Sequence, residues 1–307
     1  MPNVIDELID RTKEEHEAVD SQPFLRRYFK EDSDLVVEDH YRQLCQLLPL
    51  YQALETQVKD IKGLPVLPAE LAFLLERSQA IEADMRFLEA QIPDERKRLV
   101  LPVTQAYIDQ VNKMSPATHG IEIWGHFLTR ILADLYGGRK TKQYLEWMYQ
   151  RQGVNTESDD ADSGLNFYCF GPGTLRRLKA WLNENQSHFT ADALMPHFSS
   201  SYANHIKIFA LLEDTRPKMA IRLNVAGRIE KPRVVEGESQ CPMGFGKDTG
   251  TENDQTVAAT PPKKSCPYKT ATQNFCNLFT PRNIGYALGA GVAAAASLYV
   301  MRGPGQS

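Results

Sequence analysis

Two groups of polar side chains on predicted helices have the types and spacing to carry chemistry. His16 falls on the apolar stripe of an N-terminal helix, and Asp20 follows it by one turn. A carboxylate at that spacing can bond to one ring nitrogen, which fixes the tautomer and leaves the other nitrogen available to a metal. A histidine on an apolar stripe is also typical of a packed core position, and the spacing alone does not decide.

The second group lies on a long predicted helix in the middle of the chain. Asp134 sits beside the apolar stripe, and Gly137 and Gly138 follow three and four residues later. A half-buried carboxylate needs partners or water, or its pKa rises. Each glycine costs about 1 kcal/mol in a helix interior. One interpretation is a kink or a helix end; the other is that missing side chains let a flat ligand approach the backbone near a carboxylate.

Helical periodicity dominates the first 220 residues and predicts an all-α domain. The first helix begins near Asn3, a good N-cap residue, and its apolar positions continue to Val19. Strand-like alternation is confined to short runs such as Asn166–Phe170. The further predicted helices are Val36–Val58, Pro68–Gln91, Pro102–Asn112, Glu122–Gln150, Thr174–Asn185 and Asp192–Asp214.

Composition excludes several classes of protein. The 307 residues have a net charge of −4, which is too balanced to indicate nucleic-acid binding. Five cysteines form no dense disulfide framework, and the acidic N-terminus lacks the pattern of a cleaved signal peptide. We therefore expect the chain to fold in a reducing compartment.

The chain divides into three predicted parts. Residues 1–220 form the helical domain, and 221–283 form a flexible linker that is rich in Gly and Pro and poor in large apolar residues. Residues 284–301 carry no charge, and as a helix they would span about 27 Å, close to the thickness of a bilayer core. A buried amphipathic helix is the alternative. The position of the stretch near the C-terminus predicts a transmembrane tail anchor with the domain in the cytosol.

Two motifs in this helical pattern resemble those of the heme oxygenase family. Residues Thr12–His16 resemble the family's proximal-helix motif, and Gly125–Gly138 resemble its distal helix. Residues Phe167–Phe170 and Tyr202–Leu212 match the closing segments, so the resemblance covers roughly residues 4–215. It implies an all-α, heme oxygenase-like single domain with heme between the proximal and distal helices.

The resemblance also implies an activity and a set of site residues. We expect oxidative opening of heme b to biliverdin, CO and Fe²⁺, with O₂ and with electrons from NADPH through a flavoprotein reductase. His16 would bind the heme iron, Gly137 and Gly138 would admit oxygen, and Asp134 would hold a water network that supplies protons. The expected contacts to the propionates and the pocket wall are Lys13, Lys179 (with Arg176 and Arg177 as alternatives), Tyr28, Thr129, Phe170, Tyr202 and Phe209.

Two Cys-Pro dipeptides in the linker resemble the heme regulatory motifs of constitutive, membrane-anchored heme oxygenases. Cys241 and Cys266 each precede a proline, and a thiolate is a known axial ligand of heme iron. A redox-dependent bond between the two cysteines is a competing role, and a passive tether is the third interpretation. The same resemblance implies an endoplasmic-reticulum membrane location, an NADPH–cytochrome reductase-like electron donor and, as a further partner, biliverdin reductase.

Several positions depart from the family pattern. Ile9 and Asn183 stand where basic residues are common, and Leu128 replaces a tyrosine. Ala133 replaces a glycine and Tyr136 a small residue next to the glycine pair. The added bulk would crowd the oxygen side, so a low-turnover heme sensor or sink is the alternative to an active enzyme. A helical interaction protein without heme is the third hypothesis.

Overall fold

The computed structural model describes residues 3–29, 33–92, 98–154 and 164–216, and these ranges contain helices and no strand. The predicted linker and anchor, with Cys241 and Cys266, lie outside the described residues. No described helix combines the length and hydropathy that crossing a bilayer requires. The helices are α1 (Val4–Arg11), α2 (Lys13–Asp20), α3 (Pro23–Phe29), α4 (Val37–Asp60), α5 (Arg77–Glu89), α6 (Pro102–Lys113), α7 (Gly120–Arg151), α8 (Thr174–Glu184) and α9 (Ala191–Asp214).

The N-terminal helix is two helices rather than the single one predicted. Asn3 caps α1 as expected, since its side chain accepts from the amide of Ile5 at 2.9 Å. The break is at Thr12, whose backbone leaves helical geometry at φ −104° and ψ 17°. Its hydroxyl donates to the carbonyl of Leu8 at 2.7 Å, a contact that competes with regular helix geometry. His16 therefore lies on a separate short helix.

Three other segments differ from the sequence-based prediction. Helix α3 was not predicted, and it begins with Pro23 at a position where proline is well tolerated. The predicted helix Pro68–Gln91 is a 3₁₀ segment, Ala69–Glu76, followed by α5, with non-helical geometry at Leu75. The strand-like run Asn166–Phe170 contains a 3₁₀ turn, Asn166–Tyr168.

Helix α7 is the longest described helix and packs against α9 and α4. It runs without interruption through Gly137 and Gly138, as the predicted helix Glu122–Gln150 does, which excludes the alternative interpretation of a helix end there. Near its start, a Cβ atom on Gly125 would lie 2.5 Å from Cβ of His197 on α9. Glycine at this position therefore allows the two helices to cross closely, which brings α9 alongside the polar residues of α7.

Candidate functional site

A cleft with about 980 Å³ of empty space, including its open mouth, lies among α2, α3, α7 and α9. Apolar and aromatic surface makes up most of its wall, as is usual for sites that hold organic cofactors, and many polar or charged side chains lie along it. The cleft brings together eight of the predicted site residues, namely His16, Tyr28, Thr129, Asp134, Gly137, Gly138, Tyr202 and Phe209.

His16 faces this cleft from α2 with its side chain 27% exposed, so it is not a packed core residue. Its Nδ1 atom lies 3.0 Å from Oδ2 of Asp20, the partner predicted from the spacing. The ring of Tyr202 packs edge-on against the imidazole, with centroids 6.0 Å apart. These two neighbours restrain the ring, and the pairing at Nδ1 leaves Nε2 as the nitrogen available to a metal.

The glycine pair faces the same cleft from α7. A Cβ atom on Gly137 would meet no heavy atom of the described chain within 4 Å. A Cβ atom on Gly138 would lie at ordinary contact distance, 3.5 Å, from Tyr168 and Phe170. Gly137 is therefore the position at which a missing side chain leaves open space beside the helix backbone.

Asp134 lies one turn before the glycines and is buried, with both carboxylate oxygens engaged. Tyr51 on α4 donates to Oδ2, and Arg130 on α7 donates to Oδ1. Burial raises the pKa of Asp134, while the charge of Arg130 and the hydrogen bond from Tyr51 oppose that rise. Burial raises the pKa of Tyr51 well above its usual value, so the phenol remains a donor.

Sequence reasoning missed the two partners of Asp134. Arg130 precedes Asp134 by four residues on the same helix, which is the spacing of a helical ion pair, so the sequence could have predicted this partner. Tyr51 is 83 positions away, and no local pattern connects it to Asp134. Lys140 is a third omission: it lines the cleft, and its ammonium group lies 4.8 Å from the centre of the Phe29 ring.

The predicted cations lie at the edge of the cleft or outside it. Lys13 lines a smaller adjoining pocket that shares His16, Tyr136 and Tyr202 with the main cleft. Lys179 lies with Nζ 2.6 Å from Asp6 and 5.7 Å from the centre of the Tyr136 ring.

Lys179 and its two alternatives, Arg176 and Arg177, do not line either of these pockets. Arg176 is exposed, and Arg177 donates to the carbonyl of Pro172 at 2.9 Å. Lys179 is the best placed of the three cations on α8, because its ammonium group approaches the ring of Tyr136, which lines both pockets.

Phe170 stands behind the glycine pair rather than in the main cleft, held by a buried charged clamp. The guanidinium of Arg77 lies 4.4 Å from the centre of its ring. Asp84 accepts from the amides of Asn166 and Phe167, each at 2.7 Å. This clamp fixes the 3₁₀ turn that carries Tyr168 to the cleft, and burial raises the pKa of Asp84 to about 7.

Comparison with known proteins identifies the family. A family model described as heme oxygenase matches residues 3–180. Heme oxygenase 1 of Synechocystis is 26% identical over 221 residues, covering 69% of this chain and 85% of that protein. Heme oxygenase 1 of Gallus gallus is 24% identical over 214 residues, which cover 67% of this chain and 68% of that protein.

Solved structures show the same fold. Heme oxygenase-1 of Synechocystis in complex with heme superposes with a TM-score of 0.55 at 22% identity, covering 69% of this chain and 93% of that one. Heme oxygenase from Leptospira interrogans also gives 0.55, at 19% identity, with coverages of 68% and 100%. The match to the family model spans more than half of the sequence and contains the cleft residues of α2 and α7. The chain belongs to the heme oxygenase family.

Proposed function

We propose that the cleft holds heme between α2 and α7, with His16 as the iron ligand and the face beside Gly137 as the oxygen side. As a heme oxygenase, the enzyme degrades heme with O₂ and with electrons from a reductase. One observation carries the assignment of residues. His16 with its Asp20 partner, and Asp134 with the glycine pair, line a single cleft although they come from distant parts of the chain.

The residues present fit heme. The walls of the cleft include the aromatic rings of Tyr28, Tyr202 and Phe209, which can contact a large planar ligand. Asp20 pairs with Nδ1 of His16, so Nε2 is the ring nitrogen that would bind iron. Bound heme would supply an iron centre that binds and activates O₂.

The chain's own residues have separable tasks in this proposal. His16 orients the iron, and Asp20 keeps its imidazole in the tautomer that presents Nε2. Gly137 leaves room for a small ligand at the helix backbone, and Asp134 holds water close by. Lys13 and Lys179 neutralise the propionates at the mouth, where Asp6 competes for Lys179 in the heme-free chain.

Hemin titration followed by turnover tests the proposal. We expect the full chain to give a Soret band with hemin, and His16→Ala to lose it. His188→Ala, at an exposed histidine outside the cleft, is the control. With a flavoprotein reductase, NADPH and O₂, we expect biliverdin absorbance to appear. Tight heme binding without biliverdin would contradict the proposal.

A low-turnover heme sensor or sink is the second candidate, and the wall next to the glycine pair favours it. Ala133 and Tyr136 both line the cleft, and both are larger than the residues usual in the family. If their bulk limits oxygen access, the double variant Ala133→Gly, Tyr136→Ser will raise turnover at least threefold with heme affinity little changed. Equal turnover in the variant would remove the support for this candidate.

We also propose that residues 284–301 anchor the enzyme in the endoplasmic-reticulum membrane, with residues 1–220 facing the cytosol and 221–283 as the tether. The uncharged stretch and its flanking arginines, Arg282 and Arg302, support this. An NADPH–cytochrome reductase-like donor and biliverdin reductase are the proposed partners. A charged residue at the bilayer centre is costly, so Val292→Asp should move the full chain from the membrane to the soluble fraction.

A regulatory role for Cys241 and Cys266 is a separate proposal, which rests on the two Cys-Pro dipeptides. Each thiolate would bind a second heme, or the pair would form a disulfide under oxidising conditions. The double variant Cys241→Ala, Cys266→Ala should reduce hemin stoichiometry to one per chain if they bind heme. A change in hemin stoichiometry that occurs only in oxidised samples would instead support the disulfide.

A further inference from the structure

A second histidine, His205 on α9, lies in the wall of the cleft and is almost completely buried. Its Nδ1 atom lies 2.7 Å from the backbone carbonyl of Ser201. A carbonyl oxygen only accepts hydrogen bonds, so Nδ1 carries the proton. Nε2 of the neutral ring is then an acceptor.

That acceptor has no hydrogen-bond partner among the described residues. The charged or titratable groups that face the ring are Tyr107 from α6, with ring centroids 5.7 Å apart, and Arg130 and His126 from α7. On its own helix, Phe209 packs against the ring. A buried acceptor without a partner is costly, so an occupant of the cleft is expected to satisfy it.

A matching donor lies on the facing helix. Nη2 of Arg130 is used by Asp134, whereas Nε of Arg130 is buried and makes no hydrogen bond with the described residues. Both Arg130 and His205 line the cleft, and the guanidinium acts electrostatically on the imidazole. A water molecule can accept from Nε–H of Arg130 and donate to Nε2 of His205, which satisfies both buried groups.

We propose that His205 is a positioning residue of the cleft, which holds a water molecule between its Nε2 and Nε of Arg130 and so extends the Asp134 network to α9. This inference rests on the proposed function, because the cleft must contain the reacting heme for the water to matter. The water molecule donates one hydrogen to His205 and accepts a hydrogen bond from Arg130. Its second hydrogen remains free to donate to another group in the cleft.

His205 acts here as an acceptor and not as a titrating acid. Burial, together with the positive charge of Arg130, lowers the pKa of His205 to about 3. The ring therefore stays neutral throughout the neutral pH range. Removing it should lower turnover by the same factor at every pH, whereas removing a titrating acid would change the shape of the pH profile.

The first test uses the heme-free full chain, so it is independent of turnover. In protein labelled with ¹⁵N at histidine, long-range ¹H–¹⁵N spectra report which ring nitrogen is protonated. The signal lost in His205→Gln identifies the residue. We expect an Nδ1–H tautomer that is unchanged from pH 5.5 to 8. An Nε2–H tautomer, or titration within that range, would overturn the proposal.

The second test compares variants in the heme complex. We expect His205→Leu to keep heme affinity within threefold and to slow single-turnover biliverdin formation at least tenfold, evenly from pH 6 to 9. In His205→Gln the amide oxygen can still accept, so turnover should stay within threefold of the natural chain.

His40→Leu is the control for burial, because His40 is equally buried, also has an unpartnered Nε2 and does not line the cleft. It should leave turnover unchanged. Turnover of His205→Leu at the natural rate would overturn the proposal, as would an equal loss in His40→Leu. If the natural chain binds heme and forms no biliverdin, the proposed function fails instead, and the tautomer measurement still tests His205.

Discussion

The hydroxyl of Tyr51 on α4 donates a hydrogen bond to Oδ2 of Asp134 on α7. Arg130 holds the other oxygen from one turn earlier on α7, and its guanidinium lies 6.0 Å from the centre of the Tyr51 ring. The carboxylate is therefore oriented by two helices rather than one. An acid or base held in this way keeps its direction toward the cleft when the ligand changes.

Tyr51→Phe should slow ring opening without weakening heme binding. The substitution keeps the aromatic ring but removes the donor, and Oδ2 of Asp134 becomes a buried acceptor without its partner. We expect a loss of about 1–3 kcal/mol in the free energy of unfolding and at least a tenfold slower single turnover. Tyr149→Phe is the control. It removes a buried hydroxyl that pairs with His40 outside the cleft, so it should lower the free energy of unfolding and leave turnover unchanged. Equal turnover losses in the two variants would contradict the assignment.

Asp134→Asn should keep heme affinity and lose ring opening. The amide retains hydrogen-bonding capacity toward Tyr51 but leaves Arg130 as a buried charge without its counter-ion, which costs roughly 3–5 kcal/mol. Adding Arg130→Gln should recover much of that stability and none of the turnover. Urea unfolding and biliverdin absorbance measure the two effects separately. Turnover at the natural rate in Asp134→Asn would refute a role for the carboxylate.

Alanine at two glycines of α7 should have opposite effects on stability. At Gly137 the new methyl group meets nothing in the described chain, and the better helix propensity should stabilise the heme-free protein by up to about 1 kcal/mol. Turnover should still fall, because the methyl occupies the oxygen side. At Gly125 the methyl would collide with His197, which should cost about 1–3 kcal/mol. Thermal unfolding measures the stability of both variants. If Gly137→Ala is less stable than the natural chain, the space beside the helix at Gly137 is not open.

Asp20→Asn should weaken the bond between His16 and iron. The carboxylate lies 3.0 Å from Nδ1 and orients the imidazole, and loss of such a partner typically lowers metal affinity 10- to 100-fold. We expect a lower Fe–N stretching frequency by resonance Raman spectroscopy and faster heme loss. Asp192→Asn, an exposed aspartate paired with Arg11, is the control. An unchanged stretching frequency would show that Asp20 does not tune the ligand.

How far the sequence alone predicts this molecule depends on the distance over which each feature is encoded. His16 with Asp20, and Asp134 with the glycine pair, lie within one or two turns of a helix, so their spacing was readable. At the break, the hydroxyl of Thr12 donates a hydrogen bond to the carbonyl of Leu8, and hydrophobic periodicity does not predict such a bond. The bond from Tyr51 to Asp134 exists only because α4 packs on α7, and neither local sequence contains it.

The stability of the folded domain should depend on pH through its buried histidines. Burial lowers the pKa of His40 to about 3, against about 6.5 in an unfolded chain. Because the folded value is depressed, the neutral ring contributes stability that is fully present above pH 6.5 and is lost as the pH falls toward 3. Between pH 7.5 and 5.0 the natural chain should lose about 2 kcal/mol from this residue. The same sign applies to His126 and His205, whereas the raised pKa of Asp84 acts in the opposite direction.

A difference measurement separates the histidine from these other groups. The carboxyl groups and the other histidines titrate alike in the natural chain and in His40→Gln, so their contributions cancel. The stability cost of His40→Gln, measured by urea unfolding, should therefore shrink by about 2 kcal/mol between pH 7.5 and 5.0. His188→Gln, at an exposed histidine, should show no such trend. A cost of His40→Gln that stays constant over this range would mean that the buried ring does not stay neutral in the fold.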